Sequence, residues 1–100
     1  MTRWLMRAFR AIQDLARQGQ VQFTHKAVIE IEEELDITEE VALEILRTIT
    51  LEDFHERLAS DINGEWLYVF KVQTAGYMLY IKLAIRHTCV VISFHEDREL

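Results

Sequence analysis

LYIKLAIRHTCVVISFHED, residues 79–97, is the stretch that decides the fold. Its apolar residues recur with a period of two, first through 77–86 and again through 89–95. Arg86-His87-Thr88 supplies a short polar turn between them, so the pattern predicts two adjacent antiparallel strands. Alternation places Tyr80, Lys82, Ser93 and His95 on one face of the sheet and apolar residues on the other. An open face that carries a Tyr, a Lys and a His is suited to phosphodiester chemistry.

Working outward, the same period predicts strands near 55–60 and 66–73. Asn63-Gly64 is a strong hairpin signal and Ala75-Gly76 a weaker one. Four successive strands with short links make an antiparallel meander. Upstream the period becomes helical. Leu5, Phe9, Ile12 and Ala16 predict an amphipathic helix over 4–18, stopped at Gly19. Residues 20–23 (QVQF) read as a short edge strand or an extended link. Thr24 offers an N-cap to a second helix carrying Ala27, Val28, Ile31 and Leu35. Asp36 and Glu39 have capping-box spacing for a third, with Ile37, Val41, Ile45, Leu46 and Ile49 inward. Helices first and sheet afterwards predict an α+β fold, the helices packed on one face of an antiparallel sheet of four or more strands.

Parity sorts the strand residues. Leu58, Trp66, Tyr68, Phe70, Val72, Leu79, Ile81, Leu83, Ile85, Val90, Ile92 and Phe94 form the apolar set expected to meet the helices. Arg57, Leu67, Val69, Lys71, Tyr80, Lys82, Ala84, Arg86, Val91, Ser93 and His95 form the mixed, cationic set expected to face outward. A bulge in any strand inverts part of this assignment.

With 100 residues, half of them apolar and no proline, the chain is expected to be one globular domain over 1–100, fraying only at 97–100. Arg7 and Arg10 interrupt the N-terminal apolar residues, so no signal-peptide core forms. No apolar run approaches the roughly 20 residues that span a bilayer, and a cytoplasmic protein without membrane contact is expected. Cys89 is the only cysteine, which excludes an internal disulfide and argues for packing over chemistry. The net charge of −6 disfavours a nucleic-acid partner only at first sight. Residues 30–56 hold eleven acids and one base, whereas 1–29 carry five bases against Asp14. The acids crowd helix first turns, where the helix dipole favours them, and read as solvated helix surface.

LARQGQV (15–21), LEDFHERL (51–58), EWLYVFK (65–71), LYIKL (79–83) and VVISFHED (90–97) together resemble, in order, the MqsR family of bacterial type II toxins. The resemblance spans about residues 10–97. It implies a RelE-like fold and metal-independent cleavage of mRNA by an endoribonuclease that a cognate antitoxin blocks. In this family the antitoxin is often a zinc-containing protein with a helix-turn-helix domain. The family's cleavage residues are a Lys after the DF pair, a Gln after the Trp, a Tyr in the penultimate strand and a Lys in the last. Tyr80 matches. Glu56, followed by Arg57, stands at the first Lys, Leu67 at the Gln and His95 at the last Lys.

Metal-free RNA cleavage needs a base for the 2′-OH, cations for the phosphorane and an acid for the 5′ oxygen. His95 is the candidate acid or base and Tyr80 its catalytic partner; Arg57, Lys71 and Lys82 are candidate phosphate ligands. Each also fits a plainer role, His95 as a surface histidine, Tyr80 as cover for the sheet, the cations as solvated charges. His25, His55 and His87 are scattered, without ligand spacing, and no metal or other cofactor is expected. Ser93 and His95 share a face without a carboxylate to orient the imidazole, so no nucleophilic triad is read. The expected partners are an mRNA substrate and a cognate antitoxin, and the sequence is compatible with a homodimer. The alternative is a non-catalytic module of the same fold that binds RNA or an antitoxin.

Overall fold

The computed structural model describes residues 2–98. Helix α1 (Arg3–Arg17) leads to strand β1 (Val21–Phe23); helix α2 (His25–Ile29) runs on into a wide π turn (Glu30–Glu34), and helix α3 (Glu39–Thr48) follows. After a short 3-10 turn (Leu51–Asp53) come β2 (Phe54–Ala59), β3 (Trp66–Gln73), β4 (Met78–Ile85) and β5 (Cys89–Glu96). The architecture is α+β with the helices N-terminal, as the change of period predicts. Strands β2 to β5 form the antiparallel meander, and the sheet order is β1-β5-β4-β3-β2. Residues 21–23 do form an edge strand, and it runs parallel to β5, making the sheet mixed. No hairpin links β1 to β5, so nothing in the connection imposes the antiparallel sense.

Local chemistry accounts for the helix limits. Gly19, at φ 72°, turns the chain out of α1. The Thr24 hydroxyl accepts the Ala27 N–H at 3.1 Å and donates to the Ile92 carbonyl at 3.2 Å, so one side chain caps α2 and ties it to β5. The cap of α3 is Thr38, whose hydroxyl accepts the Val41 N–H, and not the Asp36–Glu39 pair that the spacing suggests. Asp36 instead adopts φ 55°, a left-handed conformation that Asp tolerates, to end the π turn.

The core lies between the helices and one sheet face. Phe9 and Ile12 of α1, Ala27 and Ile31, and Ala42, Leu46 and Ile49 meet Phe70, Val72, Leu79, Ile81, Leu83, Val91 and Phe94. Two bulges modify the expected parity. In β5 the partners of Lys82 and Leu83 are Ser93 and Val91, so Ile92 is the extra residue. Cys89 and Val91 therefore turn into the core, and Val90 pairs outward with Ala84. In β2 the register shifts between Phe54 and Glu56, which turns Arg57 inward opposite Tyr68 and Leu58 outward opposite Leu67. Both exchanges follow from a single inserted residue, because strand side chains alternate with period two. Of the segment expected to fray, Asp97 is held by its N–H on the Met78 carbonyl at 2.7 Å, while Glu99 and Leu100 lie outside the described residues.

Two outcomes test this packing. Phe94→Ala, at a fully buried position, is expected to lower stability by about 3–5 kcal/mol in urea unfolding. Cys89 is fully buried and desolvation pushes its thiol up to about 12. A thiol reagent at mildly alkaline pH should therefore label it only after unfolding.

Candidate functional site

The outward face of the sheet is assembled by register. Lys71, Tyr80 and His95 form one row across β3, β4 and β5; Glu56, Val69, Lys82 and Ser93 form the next, and Leu58, Leu67, Ala84 and Val90 a third. The Tyr80 and His95 rings stack, with centroids 4.9 Å apart and planes 12° from parallel. His95 Nδ1 lies 2.8 Å from the Glu96 carbonyl oxygen. A carbonyl only accepts, so Nδ1 carries the proton and Nε2 is the ring's acceptor in the neutral form.

The neighbouring lysines differ in what holds them. Lys71 Nζ lies 3.1 Å from Asp97 Oδ2, both side chains largely buried. Lys82 has no ion pair or hydrogen-bond partner from its side chain among the described residues. It stands one row from the Tyr80–His95 stack, at two residues' distance along β4.

At the β5 edge a third lysine enters from α2. Strand β1 ends opposite Val91, so beyond it the edge amides of β5 need other partners. The Phe94 N–H donates to Glu30 Oε1 at 2.9 Å, and Glu30 is only 7 % exposed. Lys26, one turn earlier, donates to Glu30 Oε2 at 2.9 Å and to the Ser93 hydroxyl at 2.9 Å. The i, i+4 spacing on α2 thus neutralises a buried carboxylate and brings a cation beside β5. Lys26, Glu30, Glu34, His95, Glu96 and Arg98 line a cleft of about 400 Å³ there. His95 accordingly borders both the Tyr80 ring and a cleft with two cations at its rim.

Four of the five candidates read from sequence, Tyr80, His95, Lys71 and Lys82, share this face. Arg57 does not. The β2 bulge puts it on the helix-covered side, its guanidinium carbon 3.8 Å from the Trp4 ring centroid and 3.7 Å from that of Trp66. Glu56 and Leu67, at positions where the family resemblance places a Lys and a Gln, do fall on the face of Tyr80 and His95. Sequence reading missed Lys26, Glu30 and Asp97. The i, i+4 pair is visible in the chain, but only the end of β1 makes Glu30 an edge partner. Nothing in the sequence marks Asp97.

A protein-family model described as "Motility quorum-sensing regulator, toxin of MqsA" matches residues 6–96. No curated protein matches the chain.

The edge contact has a measurable weight. The Lys26 side chain is 61 % exposed, so its ion pair with Glu30 contributes little, and the carboxylate bond to the buried Phe94 N–H dominates. Glu30→Ala should cost about 1–3 kcal/mol in chemical denaturation, and Glu30→Gln, which keeps an acceptor oxygen, distinctly less.

Proposed function

Because the chain belongs to the MqsR toxin family, whose members pair with an MqsA antitoxin, we propose that it is an mRNA-cleaving endoribonuclease acting through Tyr80 and His95. The stacked Tyr80–His95 pair beside Lys82 carries this reading. In the proposed reaction His95 Nε2 takes the proton of a ribose 2′-OH. The 2′ oxygen attacks the adjacent phosphorus, and the bond to the 5′ oxygen breaks. The Tyr80 hydroxyl gives its proton to that leaving oxygen, so the products are a 2′,3′-cyclic phosphate and a 5′-hydroxyl. In this reading Lys82, two residues along β4 from Tyr80, stabilises charge on the phosphorane, and Lys26 contributes from the cleft. No metal is required by these steps. The toxin's partner is a cognate antitoxin. Among the described residues no helix is long and apolar enough to cross a membrane.

A second reading, a non-catalytic module that binds RNA or antitoxin, is favoured by specific observations. Glu56 puts a negative charge where the family has a lysine, and both Lys71 and Lys26 are already paired with carboxylates. Incubating the purified protein with single-stranded RNA separates the two. Cleavage to cyclic-phosphate ends supports the first reading, and binding without cleavage supports the second. If cleavage occurs, His95→Ala and Tyr80→Phe should each slow it by about 10²–10⁴-fold, the usual share of a general acid or base. The same substitutions should relieve growth arrest on expression without antitoxin. Full toxicity of the double variant would rule out this face.

A further inference from the structure

On the other side of the sheet, α1 and the β2–β3 edge enclose a groove of about 430 Å³ lined by Trp4, Arg7, Arg57, Trp66, Tyr68 and neighbouring apolar residues. We infer that this groove is a second RNA site, binding single-stranded RNA with phosphates on Arg57 and Arg7 and a base on Trp66. The inference rests on the RNA reading above and adds to it a surface remote from the cleavage chemistry.

Arg57 carries the argument. Its guanidinium carbon lies 3.8 and 3.7 Å from the centroids of two indole rings, so two cation–π contacts hold the group at the groove. Among the described residues its N–H donors have no hydrogen-bond or ion-pair partner. A held, planar, unpaired fork of donors matches a phosphate oxygen pair. Arg7 lines the same groove, and Arg3 and Arg10 flank it along α1, a span of about 10 Å at helical rise. None of these three is ion-paired among the described residues; the only salt bridge on α1 joins Arg17 and Asp14. Among the described residues no carboxylate lines the groove. In a chain of net charge −6, four arginines without acids on one patch are complementary to a polyanion.

Trp66 selects the kind of anion. It remains 45 % exposed, a large indole left at the rim of an arginine-lined groove. Single-stranded nucleic acid uses both features, stacking its bases on aromatic rings and its phosphates on cations. An acidic peptide would use the arginines and leave the indole bare.

The test is fluorescence anisotropy of a labelled oligouridylate on the His95→Ala protein, across a salt series. Arg7→Gln with Arg57→Gln should weaken binding and flatten the plot of log affinity against log salt by about 1.4, from about 0.7 for each phosphate no longer neutralised by an arginine. Trp66→Ala should weaken binding by about tenfold, as expected for removal of one stacked base, with little change of slope. Arg57→Lys should keep the slope and lose affinity, which a purely electrostatic patch would not do. Arg7 is exposed, so Arg7→Gln alone gives the same direction of change in a protein whose fold is not at risk. Unchanged affinity and slope in the arginine variants would overturn the groove assignment and leave the Tyr80–His95 site to be judged by cleavage. Cleavage by the native protein with no oligouridylate binding attributable to the groove has the same meaning. Neither cleavage nor binding removes both readings. Oligoglutamate binding as tight as oligouridylate, and abolished in the same variants, would assign the groove to a carboxylate peptide and overturn the RNA assignment.

Discussion

Strand β5 is hydrogen-bonded along both edges, and most of the molecule is arranged by how those bonds are met. One edge belongs to β4 throughout. The other is shared in sequence by β1, which serves Cys89 to Val91, by Thr24, which takes the Ile92 carbonyl, and by Glu30, which takes the Phe94 amide. A buried amide without a partner costs as much as several ordinary hydrogen bonds contribute. The helical segment after β1 must therefore lie where its side chains continue the edge that the strand abandons. That requirement fixes α2 against β5, places Ala27 and Ile31 in the core, and carries Lys26 to Ser93.

The same strand shows what the sequence makes legible. Alternation in 79–97 correctly brings Tyr80, Lys82, Ser93 and His95 together, because the pairing is regular from Leu79 to Lys82. It fails beyond Ile92, where one added residue reverses the faces of Val90 and Val91. It fails at Arg57 for the same reason, through the register shift after Phe54. Neither bulge carries a glycine or any other local signal, so period-two counting has no means of locating them. Helix positions survive better: α3 is capped two residues later than the Asp36–Glu39 spacing suggests, at Thr38, and of the residues read as inward on it only Val41 is exposed.

Moving Arg57 off the outward face changes the electrostatics of the proposed chemistry. Glu56 takes the outward position in β2, in the row that contains Lys82. The outward face is thereby less cationic than parity suggests, and the helix side more so. The acids of residues 30–56 do not explain this division, since Glu32, Glu33 and Glu34 are exposed and only Glu30 is buried against β5. Charge is separated here by element, with most arginines on α1 and at Arg57 and carboxylates clustered on the π turn and α3.

A charge already paired is worth much less to an incoming phosphate. The carboxylate beside a bound lysine repels an incoming phosphate about as strongly as the ammonium attracts it, so the two present a nearly neutral pair to a third group. Lys71 is so bound by Asp97 and Lys26 by Glu30. Lys82 is not, and it lies beside the stacked Tyr80 and His95. In the proposed reaction it is therefore Lys82 that bears most of the phosphorane charge. Lys71, held by Asp97 against Tyr80's strand, acts chiefly to fix the end of the sheet. The lysine that the family carries at the end of the last strand is His95 here, which removes a fixed charge from that point and adds a proton acceptor. In the proposed reaction the face would then use one fixed cation and one imidazole in place of two cations.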